Sequence, residues 1–162
     1  GNTAPPAGPG TSGRGTPQVP QRAEPLGRAQ RALQIVLTAP EIWPALSASD
    51  HQLLCELPAP YGALFTWLDG QEQEHGTQPW SALREALREH EHENAAVQAI
   101  ESLHDDIESD PAELHAILRR ERPLYLKRRM DAALSAGDLE LYQALLPQLA
   151  AAKASLNVVE NS

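Results

Sequence analysis

Apolar residues along this chain recur at helical steps, and no stretch alternates apolar and polar positions for any length. Leu33, Val36 and Leu37, with Ile35 beside them, make the first stripe, which begins near Leu26. It ends at Ala39-Pro40, because the residue before proline avoids the α region. Residues 41–46, with Pro44 inside, predict a short second helix at most. Ser49 suits the N-cap of a third, running through Leu53, Leu54 and Leu57 and stopped by Pro58 and Pro60. Tyr61, Leu64, Phe65 and Leu68, with Trp67 alongside, form a fourth that ends near Gly70, and residues 71–75 read as polar. Thr77 is expected to cap a fifth, with Trp80, Leu83 and Leu87 inward and Arg84 and Arg88 on another face. Asn94 opens a sixth through Val97, Ile100, Leu103, His104 and Ile107.

From residue 110 the stripes lengthen. Asp110-Pro111 pairs an N-cap with a proline at the first helical position, a strong start signal. Leu114, Ile117, Leu118, Leu124, Tyr125, Met130 and Leu134 carry the pattern to Ala136-Gly137, where glycine supplies a left-handed C-cap. Asp138 caps a last helix bearing Leu139, Tyr142, Leu145, Leu146, Leu149 and Leu156. Two long helices joined by Ala-Gly-Asp read as an antiparallel hairpin. Pro123 and Pro147 interrupt them, each removing one intrahelical hydrogen bond, so each is expected to kink its helix or, at Pro123, to split it. The predicted class is all-α.

Composition sets residues 1–26 apart. Residues 1–25 hold six of the 14 prolines and five of the 10 glycines, with no aromatic residue. So little apolar surface cannot offset the entropy of ordering, and the expectation is a disordered linker. Residues 158–162 are expected to be a disordered tail. The single Cys55 leaves no disulfide framework and no cysteine zinc site. No run of apolar residues approaches the length of a membrane span, and a cytoplasmic location is the expectation.

The formal charge of −9 is unevenly spread. Residues 41–113 carry sixteen acids against Arg84 and Arg88, whereas residues 119–129 carry six bases against Glu121. An acidic body repels a phosphate backbone, so nucleic-acid contact is confined to the basic run. That run suits DNA, an acidic partner or the chain's own acidic body.

No catalytic constellation emerges. His90-Glu91-His92-Glu93 alternates metal-binding side chains, but positions two apart in a helix face different ways, and a solvated helix end is the plainer reading. His104 with Asp105-Asp106 offers an acid–base set, against which His104 falls on the apolar stripe. Asp110 is explained by the dipole of the helix it opens. Cys55 sits among leucines, where a buried inert thiol is the default. Neither a nucleophile elbow nor a glycine-rich phosphate loop occurs. What remains is surplus apolar surface on the terminal helices, wider than one neighbour needs, to be buried against the helical body or against another protein.

The order of features, a proline-rich linker, a helix ending Leu37-Thr38-Ala39-Pro40-Glu41-Ile42, a Leu64-Phe65-Thr66-Trp67-Leu68 helix and a terminal hairpin with Leu126-Lys127-Arg128-Arg129-Met130 and Leu139-Glu140-Leu141-Tyr142, resembles the C-terminal helicase-binding domain of bacterial replicative primases. The resemblance covers residues ~27–157. It implies a bundle of five to six helices over 27–110 and a docking hairpin over 111–157. It implies no cofactor and no catalysis here, since nothing in these residues resembles the zinc-binding or polymerase parts of a primase. The partner it implies is the N-terminal domain of the hexameric helicase, met by Arg128, Arg129, Leu139, Tyr142, Gln143, Leu146, Gln148 and Lys153. A second contact, with the acidic tail of single-stranded DNA-binding protein, would fall to Arg28 and Arg31. The resemblance further implies little direct nucleic-acid binding and a monomer when alone.

Overall fold

The computed structural model describes residues 24–102 and 109–161. Among them eight helices and no strand occur, in line with the all-α expectation. The central element is α1 (Glu24–Thr38), against which α4, α5, α6 and α7 all pack. Ala32, Leu33, Ile35, Val36 and Leu37 are consequently all buried, which covers more than one side of the helix. It stops where the proline rule places the stop: the Thr38 hydroxyl donates to the Gln34 carbonyl at 2.8 Å, and Ala39-Pro40 follows.

The short α2 (Ile42–Ala45) delivers Trp43 to the core. Its indole stacks on Phe65 at 5.6 Å and on His51 at 4.3 Å, while Nε1 donates to Asp69 at 3.0 Å. The third helix, α3 (Ala48–Cys55), is capped by Ser47 and not by Ser49. Ser47 has extended backbone and its hydroxyl accepts the Asp50 N–H at 3.1 Å, which Ser49, already inside the first turn, has no geometry to do. Leu57 lies beyond the end of α3 yet stays buried. There the chain doubles back so closely that a Cβ on Gly62 would sit 2.7 Å from the Cys55 carbonyl oxygen and closer still to that of Leu57.

The fourth helix, α4 (Tyr61–His75), runs five residues past the expected end at Gly70. Polar residues 71–75 simply form its solvated last turns, and the real stop is Gly76, whose φ of 74° suits glycine. Thr77 therefore caps nothing; its hydroxyl donates to the Glu72 carboxylate at 2.9 Å, and α5 (Trp80–Ala86) starts after Pro79. The sixth helix, α6 (Glu93–Glu101), opens one residue before Asn94 and turns Ala96 and Ala99 inward, leaving Val97 and Ile100 half-buried on its flanks. Small residues win that face because α6 lies close on α1: the buried Gln34 amide reaches the Ala99 carbonyl at 2.6 Å. Leu103, His104, Asp105, Asp106 and Ile107 lie outside the described residues.

The two longest helices are α7 (Pro111–Ala136) and α8 (Leu139–Asn161). Asp110 caps α7 by accepting the Ala112 N–H at 2.9 Å, Gly137 closes it at φ 75°, and Asp138 accepts the Leu141 N–H at 3.0 Å to start α8. The two fold back on one another across that turn. Pro123 splits nothing: α7 is continuous through it, as α8 is through Pro147 and on to Asn161, beyond the expected end at 157. The apolar core does not stop at the start of α7, since Leu114, Ile117, Leu118, Tyr125 and Leu126 belong to the same buried cluster as α1. Charge reinforces that seam. Arg28 meets the buried Glu121 at 2.6 Å, Arg31 grips both carboxylate oxygens of Glu113 at 2.7 and 2.8 Å, and Arg122 reaches Asp50 at 2.5 Å.

Candidate functional site

The far end of α7 and the length of α8 form a different kind of surface. Leu134 and Leu139, either side of the Gly137 turn, are 49% and 60% exposed, and Leu146 is 44% exposed. Among the described residues of α8 only Leu145 is fully buried; Leu141, Tyr142, Leu149 and Ala152 pack partly against the core. The α8 residues expected to dock divide by helical spacing. Leu139, Tyr142, Gln143, Leu146 and Lys153 share one side of the helix, flanking its buried seam, while Gln148 falls on the opposite side. Gln148 is exposed, with its side-chain amide donating back to the Ala144 carbonyl at 3.5 Å. Tyr142 is half-buried, whereas Gln143 and Lys153 are exposed.

The basic run is dispersed by its helix. Lys127 and Arg128 are exposed, and Arg129 folds over the Tyr125 ring at 5.8 Å. That ring is itself pinned by its hydroxyl donating to Glu56 at 2.9 Å, and burial pushes the phenol up from its ordinary pKa. Arg122 is held by Asp50. The six cations therefore make no continuous band. Arg28 and Arg31, expected to receive an acidic tail, line a shallow hollow of about 310 Å³ with Glu113 and Ile117, but both guanidiniums already hold carboxylates. The hydrogen bonds from Arg31 hold the Glu113 carboxyl below its ordinary value, and Arg31 is correspondingly raised.

The histidine–glutamate cluster leads from a turn after α5 into the start of α6, with His92 at the N-cap and Glu93 in the first turn. Glu89 takes φ 77°, His90 Nδ1 accepts the His92 N–H at 2.9 Å, and the His90 ring meets Trp67 edge-on at 5.9 Å. Arg84 takes Glu93 at 2.8 Å. Among the described residues no group of three or more His, Cys, Asp or Glu side chains is placed to hold a metal ion. Cys55 is half-buried, and burial pushes its thiol up, away from the reactive thiolate. Among the described residues no helix is long and apolar enough to cross a membrane.

One grouping goes beyond what the sequence pattern predicts. His115, Arg119 and Arg122, one helical side of α7 at steps of four and three, line a hollow of about 280 Å³ whose other walls are Asp50 of α3 and Ala152 and Ser155 of α8. Their spacing is a signal in the sequence, but the α3 and α8 walls come from residues far along the chain. No family model, no curated protein and no solved structure matches this chain.

Proposed function

We propose that this chain is a non-catalytic docking module, the helicase-binding domain of a bacterial replicative primase, with α1–α6 as the supporting bundle and α7–α8 as a docking hairpin. The observation that carries the reading is the exposed leucines of α7 and α8, Leu134, Leu139 and Leu146, on the same two helices as exposed Arg128 and Lys153. An apolar centre with a cationic and amide rim is the composition of a protein interface: the leucines supply buried area, and Arg128, Gln143 and Lys153 supply orientation. The likeness in helix order and in the 126–130 and 139–142 segments supplies the partner, the N-terminal domain of the hexameric helicase. Arg28 and Arg31 are committed to Glu121 and Glu113, so the proposal rests on the α7–α8 end alone. In this reading primer synthesis belongs to the parent protein.

Removing 111–162 would expose the core, because α7 is part of it, so point variants are the proper test. The full chain is titrated against the purified N-terminal domain of the cognate helicase by calorimetry. Saturable binding is expected, weakened roughly tenfold or more by Leu139→Ala with Leu146→Ala, at an unchanged melting temperature. Absence of binding, or binding indifferent to that double variant, overturns the reading. Salt-steep DNA binding by the same chain would favour a nucleic-acid module using residues 119–129 instead.

A further inference from the structure

We infer that the hollow between α3, α7 and α8 is a binding site for a phosphate group, carried by a small molecule or as the free anion. Arg119 is the reason to look there. It is half-buried, lines the hollow, and among the described residues has no ion-pair or hydrogen-bond partner, whereas its neighbour Arg122 is satisfied by Asp50. A guanidinium that lines a hollow without a counter-charge has donors that an anion seated there would complete. Asp50 also lines the hollow, but it cancels only one of the two guanidinium charges, so a cationic surplus remains.

The donor set argues for phosphate over carboxylate. Arg119 offers a fork of N–H donors, the His115 ring a further donor and Ser155 a hydroxyl from the facing helix. A tetrahedral oxyanion has oxygens to meet donors arriving from α7 and α8 at once, whereas a carboxylate has two oxygens in one plane. Leu118 and Ala152 leave an apolar wall, and about 280 Å³ is space for more than a bare anion, at the small end of ligand pockets. Because the walls belong to three helices, an occupant would tie α8 to α3, two elements otherwise joined chiefly through α7.

The test needs no partner protein and stands apart from the helicase reading. The full chain is titrated with inorganic phosphate, pyrophosphate and glycerol 3-phosphate, followed by calorimetry and by amide NMR. Saturable one-to-one binding is expected, with the Ser155 and Arg119 signals moving and the melting temperature rising with ligand concentration. Arg119→Gln weakens it roughly tenfold or more, Ser155→Ala by a smaller factor, and Lys127→Gln, on the exposed face, leaves it unchanged. Tighter binding of glycerol 3-phosphate than of phosphate assigns the site to a phosphorylated small molecule, and the reverse to the free anion. Failure to saturate in the millimolar range, or an equal effect of Lys127→Gln and Arg119→Gln, overturns the inference.

Discussion

The first helix and the last make opposite use of similar materials. Both α1 and α8 are rich in aliphatic residues, yet α1 is enclosed by four helices and α8 leans mainly on one. In α1 every residue from Ala32 to Leu37 is buried, including the polar Gln34, whose amide is satisfied on both ends by Arg31 and Ala99. Among the described residues of α8 a single one, Leu145, reaches that state, and two leucines stand more than two-fifths exposed. Apolar content alone therefore says little about stability. The number of neighbours decides whether a leucine is core or an offered surface.

Three substitutions sharpen the contrast. The largest effect is expected from Gly62→Ala on the enclosed side. Its methyl group would meet two backbone carbonyls that no rotamer change can move, so destabilisation should reach or exceed the upper end of the about 1–3 kcal/mol typical of overpacking. Chemical denaturation measures it, and a loss within experimental scatter would mean that α3 and α4 approach one another less closely than these distances require. Next, Leu33→Ala in α1 should destabilise by about 3 kcal/mol and Leu146→Ala in α8 by no more than about 0.5 kcal/mol. Equal losses would erase the distinction between the two helices.

A further, small effect concerns acid. Glu113 is held below its ordinary value in the folded chain by hydrogen bonds from Arg31. Its folded value is depressed, so its contribution is present above the ordinary carboxylate range and disappears as pH falls through the folded value. The carboxylate is partly exposed, so the contribution stays below about 1 kcal/mol. Glu113→Gln should flatten this part of the acid limb of a stability–pH profile and leave the rest in place. An unchanged profile would remove the Arg31–Glu113 pair from the clamp between α1 and α7.

Features governed by adjacent residues are legible in the sequence itself. Asp110-Pro111 and Ala136-Gly137-Asp138 fix their own backbone, and the structure places caps and turn there. The fourth and sixth helices are harder. Gly70 carries no obligation to end a helix, and the inward face of α6 is set by how near α1 comes, which favours Ala96 and Ala99 over the larger Val97 and Ile100. The charged residues are least legible. Arg28 and Arg31 look available in sequence because Glu121 and Glu113 lie 93 and 82 positions away. The basic run looks uniform because nothing local tells Arg119, which lines a hollow, from Lys127, which faces water.

The bridge from Arg28 to Glu121 also sets a clock. A ribosome adds about 5–20 residues per second, so the 93 positions between these partners correspond to about 5–20 s during which α1 has emerged and its counterpart has not. Through that interval the apolar sides of α1 that α7 will cover stay open and Arg28 and Arg31 lack their carboxylates. The nascent chain thus carries an open α1 surface, narrowing as α4, α5 and α6 arrive, until synthesis of α7 closes it.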